Sequence, residues 1–152
     1  MRIRVVSILK KDDKEYLEII KHFIKMSSKY ATLENINLFS KELSSSNRSE
    51  VEIKKLYTKL LIPYITNQSF NIALDVEGKS LDSFAFSEKL ESHSQINFFI
   101  GGAFGFEREF LNRVDFKISL SNLTLSHKIA KIILFEQIFR GISILNNHPY
   151  HK

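Results

Sequence analysis

At 152 residues the chain is sized for one domain with a real core, spanning 1–152. It contains no cysteine, which excludes disulfides and thiolate metal sites and fits a reducing cytoplasm. The net charge of +5 and pI near 9.4 favour a polyanionic partner such as RNA, bound through its phosphates. No apolar run approaches the roughly 18 residues that span a membrane, and the opening R-I-R-V-V-S-I-L lacks a signal-peptide pattern.

Ile3–Leu9 is short and rich in β-branched residues and predicts a strand. Asp12 and Asp13 offer an N-cap to a helix whose apolar face is Leu17, Ile20, Phe23 and Ile24, ending near Ser27–Ser28. Ala31–Phe39 predicts a second strand. Lys41–Arg48, with S-S-S-N inside it, is the most loop-like segment. It reads as a solvated connection in which Lys41 and Arg48 are candidates for phosphate contact. Ser49 or Asn47 caps the next helix, whose apolar face is Val51, Ile53, Leu56, Tyr57, Leu60 and Leu61 and which is kinked or ended by Pro63.

Phe70–Asp75 predicts a compact strand, Glu77–Gly78 a turn, and Ser80 the cap of a helix reaching about His93. Gln95–Ile100 is nearly all apolar, as a strand in the middle of a parallel sheet should be. Phe106–Asn112 predicts a short helix, Phe116–Ser119 a short strand, and Lys128–Leu145 the last helix. Strand and helix alternate throughout. The fold class is therefore α/β, a mostly parallel sheet with helices on both faces and a ligand crevice beyond the carboxyl ends of its strands.

Gly101, Gly102 and Gly105 directly follow the buried strand, where the missing Cβ lets backbone approach a ligand. The same cluster reads equally as a tight turn. Its spacing matches neither the dinucleotide fingerprint nor the phosphate loop. L-S-N-L-T-L at Leu120–Leu125 alternates apolar and small polar residues. Such a loop suits an adenine ring held between leucines and read by backbone amides, or a plain buried connection. The last helix is apolar nearly all round, which implies burial on two sides and hence a homodimer. Within it Glu136 and Arg140 stand four apart, in the order that favours an ion pair, with a catalytic role as the alternative. His148, Tyr150 and His151 crowd the terminus. No metal is expected there, because neither carboxylate nor thiolate stands beside the two histidines.

Four motifs in this order carry a resemblance: I-G-G-x-x-G-F at Ile100–Phe106, L-S-x-x-T-x-x-H at Leu120–His127, E-Q-I-F-R-G at Glu136–Gly141 and N-H-P-Y-H-K at the end. Over essentially its full length the chain resembles the small SPOUT-class methyltransferases, and among them the ribosomal large-subunit pseudouridine N3-methyltransferases. The resemblance implies a C-terminal trefoil knot, an exception to ordinary chain connectivity. It also implies an obligate homodimer, S-adenosylmethionine as cofactor, and 23S ribosomal RNA in the ribosome as partner. By motif, cofactor contacts fall to Leu74, Gly101, Leu120, Ser121, Asn122, Leu123, Thr124 and Leu125. The chain departs from the family pattern at Ser126, where proline is usual.

The implied reaction moves a methyl group from a sulfonium to N3 of a pseudouridine, an imide nitrogen that reacts once its proton leaves. Under that reading His151 is the candidate base, Tyr150 stacks on or orients the target, Arg140 stabilises a carbonyl anion or binds phosphate, and Glu136 orients Arg140. A knotted transfer-RNA methyltransferase and an RNA-binding module without chemistry are the alternatives.

Overall fold

The computed structural model describes residues 1–45 and 47–151; Ser46, in the expected loop, and Lys152, the last residue of the terminal motif, lie outside the described residues. The elements are β1 (Arg2–Ile8), α1 (Lys14–Ser27), β2 (Thr32–Leu38), α2 (Glu50–Leu61), β3 (Phe70–Ser80), α3 (Ser83–Glu91), β4 (Gln95–Ile100), α4 (Arg108–Leu111), β5 (Phe116–Ser119) and α5 (His127–Leu145). The expected alternation is present. All strand pairs are parallel, in the order β2-β1-β4-β3-β5.

Side chains alternate across the sheet with the strand period of two. Ile3, Val5, Ile72, Ile96, Phe98 and Ile118 face one layer, where they meet Ile20 and Phe23 of α1, Phe86 and Leu90 of α3, and Leu134, Phe135 and Ile138 of α5. Val6, Ile8, Ala73 and Phe99 face the other, against Tyr57 and Leu61 of α2 and Phe106 and Phe110 around α4. Helices thus cover both faces, as expected. α5 packs against both α1 and α3. Gly141 makes its contact with α3 possible, since a Cβ there would lie 2.8 Å from Leu90 Cδ1.

Several local expectations are corrected. Glu77–Gly78 does not end β3: the strand runs on to Ser80, and Leu74 and Lys79 both pair with Ile118 across a register shift. The intervening residues bulge out, with Asp75 Oδ1 accepting from the Glu77 amide at 2.8 Å. Gly78 brings the chain back, because a Cβ at that position would sit 2.5 Å from the Ile118 backbone. Asp82, not Ser80, caps α3 by accepting from the Ala85 amide. In the Lys41–Arg48 segment, Lys41–Ser44 forms a 3₁₀ turn capped by Ser40. Ser49 is the cap of α2, in a reciprocal capping box with Glu52.

The correction with the widest reach concerns Asp12 and Asp13. Asp13 occupies the N-cap position of α1 but makes no side-chain capping bond. Its carboxylate accepts from Lys128 at 2.8 Å, and that of Asp12 accepts from Lys131 at 2.7 Å. Lys131 is buried in the layer between sheet and helix and also donates to Asn37 Oδ1 at 2.6 Å. The second Asp12 oxygen accepts from the side-chain amides of Asn35 and Asn37. Burial by itself would raise the Asp12 pKa; hydrogen bonds from Lys131, Asn37 and Asn35 outweigh it and hold the carboxyl below its ordinary value. Breaking a buried pair leaves one charge uncompensated. Lys131→Met is therefore expected to lower the free energy of unfolding in urea by about 3–5 kcal/mol, and Asp12→Asn with Lys131→Met to recover most of the loss.

Candidate functional site

Three irregular segments meet at the carboxyl edge of the sheet. They are the bulge after Leu74 in β3, the glycine turn after β4, and the Leu120–Ser126 loop between β5 and α5. Together they enclose a cavity of about 340 Å³. That volume lies within the range of small-molecule sites, about 300–1,000 Å³.

The glycine turn is tight, as one reading of its sequence expects. The Gly105 amide donates to the Gly102 carbonyl at 3.0 Å, and Gly105 has a φ of +71°, left-handed backbone that favours glycine. A Cβ on Gly102 would fall 2.4 Å from the Tyr57 ring and hydroxyl, and one on Gly101 would fall 3.2 Å from the Gly105 carbonyl carbon. The turn is thus closed on its outer side by α2 while it presents bare backbone to the cavity. Opposite it, Ser119 Oγ donates to the Ser121 carbonyl at 3.0 Å, and Ser121 Oγ accepts from the Leu123 amide at 2.9 Å. Ser126 ends the loop as the N-cap of α5, its Oγ accepting from the Ile129 amide. A serine here supplies the helix with a cap that proline cannot provide.

Leu74, Gly101, Leu120, Ser121, Leu123, Thr124 and Leu125 all line the cavity. Asn122 does not; it stands exposed on the outer side of its loop. Asp75 and His127 also line the wall and were not singled out in the sequence. The available signals were the position of Asp75 immediately after Leu74 and that of His127 as the last residue of its motif. Burial, reinforced by Lys128 and Lys131, pushes the His127 pKa down, so its imidazole tends to the neutral form.

The second predicted group assembles separately. Asn147, with a φ of +51°, ends α5 in the left-handed conformation. The His148 amide then donates back to the Ser143 carbonyl at 2.8 Å and the Asn147 amide to the Ile144 carbonyl at 3.2 Å, a Schellman closure. This reversal lays the tail back along the helix. Arg140 donates through Nε and Nη2 to Glu136 Oε1, at 2.9 and 2.6 Å, and its guanidinium lies over the Tyr150 ring at 4.8 Å. The Tyr150 hydroxyl donates to Glu136 Oε1 at 3.2 Å, and Arg140 Nη1 donates to His151 Nδ1 at 3.3 Å. The pair with Glu136 raises the Arg140 pKa, and burial followed by the Glu136 charge raises that of Tyr150. All four predicted residues therefore touch. His148 faces Tyr30 and Phe139 instead and serves the closure. At 1.5 Å per residue, Glu136–Arg140 lie about 14–20 Å along α5 from His127. Cavity and tail are distinct regions of one chain.

A family model described as predicted SPOUT methyltransferase matches residues 1–151. The chain belongs to the SPOUT methyltransferase family. It is 50% identical over 151 residues to the ribosomal RNA large subunit methyltransferase H of a Nitratiruptor species, covering 99% of each chain. The proteins of the same description from Aliarcobacter butzleri and Campylobacter jejuni (serotype O:23/36) are 48% and 42% identical over 153 residues, covering 100% of both chains in each case.

In this SPOUT methyltransferase the glycine turn is held by packing as much as by hydrogen bonding. Tyr57 is buried and cannot easily yield to an added methyl group. Gly102→Ala is expected to cost about 1–3 kcal/mol of stability, read as a lower urea midpoint.

Proposed function

We propose that the chain transfers the methyl group of S-adenosylmethionine to N3 of a pseudouridine in 23S ribosomal RNA, as a knotted cytoplasmic homodimer. The observation that carries this reading is the cavity itself. Its walls come from Leu74, Gly101 and the Leu120–Leu125 loop, in a chain half identical from end to end to a ribosomal RNA large subunit methyltransferase. The named relatives favour ribosomal over transfer RNA.

The residues present suit the cofactor. Leucines from β3 and the β5–α5 loop offer an apolar slot, serine and threonine hydroxyls and loop amides supply polar contacts, and the Gly101 backbone admits close approach. Bound there, S-adenosylmethionine supplies an electrophilic methyl group. The trefoil knot accords with the connectivity. From β4 the chain passes beyond β3 to reach β5, then returns as a helix packed on both α1 and α3.

A homodimer explains two features. Ile129, Ile132 and Ile133 remain partly exposed along α5, although helix and sheet bury its other side. The tail cluster also lies too far from its own cavity to act there, so each tail works at the cavity of the partner subunit. In the cluster, the His151 Nδ1 lone pair is engaged by Arg140, which can only donate. The incoming base displaces the guanidinium, His151 accepts the N3 proton, and Arg140 turns its freed N–H to the adjacent carbonyl oxygen as charge develops. Glu136 keeps Arg140 oriented, and Tyr150 aligns the base.

His151→Ala is expected to lower kcat by about 100-fold or more and Tyr150→Ala to lower it less, both with S-adenosylmethionine affinity near wild type by calorimetry. Gly101→Val, whose side chain would press on the Gly105 backbone, should abolish cofactor binding and also lower the urea midpoint. Mass spectrometry of ribosomal RNA from cells lacking the protein should show one methyl group missing from a pseudouridine. Sedimentation should give a dimer that Ile133→Asp converts to monomer.

A further inference from the structure

The carboxyl edge of the sheet continues past the cavity. β1 lies beside β4, with Ser7 opposite Ile100, and β2 lies beyond β1, with Ile8 opposite Leu38. The loops leaving β1 and β2 therefore stand on the same edge as the glycine turn, about 5 and 10 Å to its side at the usual strand spacing. They are also tied to the cavity wall. Asp12 and Asp13 of the β1–α1 loop hold Lys131 and Lys128 of α5, in the turn where His127 and Ala130 line the cavity.

On this extension the charge is unbalanced. Lys10, Lys11 and Lys41 are exposed, and among the described residues none of them forms an ion pair. Three nearby carboxylates are engaged elsewhere, Asp12 and Asp13 with α5 and Glu42 with Arg48 at 2.9 Å, which leaves Glu15 of α1 as the one exposed acid set against the three lysines among the described residues of these loops and the first turn of α1. Among these cations stands Phe39, immediately after β2. It is 38% exposed, and the Lys10 ammonium lies 5.5 Å from its ring centroid. An aromatic ring left open to solvent beside unpaired lysines has the chemistry of a single-stranded nucleic-acid site. Bases stack on the ring and phosphates meet the ammonium groups.

We propose that Phe39, with Lys10, Lys11 and Lys41, forms a platform on which single-stranded RNA lies beside the cavity, one base stacked on Phe39 and the flanking phosphates on the three lysines. The proposal rests on the reading of the chain as an RNA methyltransferase and adds a second contact region to it. The platform holds the strand by a nucleotide other than the one methylated. It carries no base-reading group and tolerates any base on the ring.

The test is fluorescence anisotropy with a labelled single-stranded RNA dodecamer over a salt series, with calorimetry of S-adenosylmethionine binding on the same proteins. Phe39→Ala should weaken RNA binding about tenfold with the salt dependence unchanged, since stacking carries no charge. Lys10→Ala/Lys11→Ala/Lys41→Ala should weaken it and flatten the slope of log affinity against log salt by about 2, at about 0.7 per phosphate contact. Lys25→Ala/Lys29→Ala, on exposed lysines toward the opposite edge, is the control and should change little. All variants should bind S-adenosylmethionine as wild type does. An unchanged affinity for Phe39→Ala, or equal losses per lysine at the two edges, would overturn the platform. Wild-type protein that binds the RNA in this pattern but not the cofactor would instead defeat the methyltransferase reading and leave the platform standing.

Discussion

The buried ammonium of Lys131 is the constraint around which the cavity is arranged. It lies between sheet and helix with its side chain 2% exposed, held by Asp12 and Asn37. Burying one charge is tolerable here only because its partner is buried beside it and every remaining oxygen of Asp12 has a donor. Those donors come from β2, the acceptor from the β1–α1 loop, and the cation from α5. One polar network therefore fixes the start of the last helix against β2 and the loop after β1, both distant in sequence. At that start Ser126 caps the helix and His127 meets the cavity. The apolar contacts of α5 are plentiful but slide easily; a directional charged network gives the helix a single position along its axis.

From that anchor two groups of residues separate along α5. At its amino end, loops from β3, β4 and β5 close a cavity with leucines, hydroxyls and bare glycine backbone. Toward its carboxyl end, a Schellman closure turns the tail back, so that Tyr150 packs on Phe139 and Arg140 and His151 reaches the guanidinium. The helix acts as a spacer that keeps the cavity and the tail cluster apart within one chain. Ile129, Ile132 and Ile133 remain partly exposed on α5, and the proposed dimer would bring cavity and tail together across that apolar surface.

The errors of local reading share a cause. Asp13 is the N-cap residue of α1 by position, as expected, but its carboxylate, like that of Asp12, is claimed by a lysine more than a hundred positions later. Glu77–Gly78 looks like a turn because glycine usually marks one. Here the glycine lets a bulged strand rejoin its neighbour at Ile118. In each case the local signal was read correctly and a long-range contact decided its use.

What the sequence determines alone is periodic and local: the alternation of strand and helix, the apolar faces, the capping box at Ser49, and the identities of the residues that assemble into each group. These follow from side-chain spacing and backbone preference, which act over a few residues. The four motifs, read together, also carry the family. Only the tertiary structure decides the strand order, the bulge in β3, the pairing of Lys131 with Asp12, and the distance between cavity and tail. Those depend on which surfaces meet after the chain has crossed its own sheet, and no periodicity within a segment encodes that meeting.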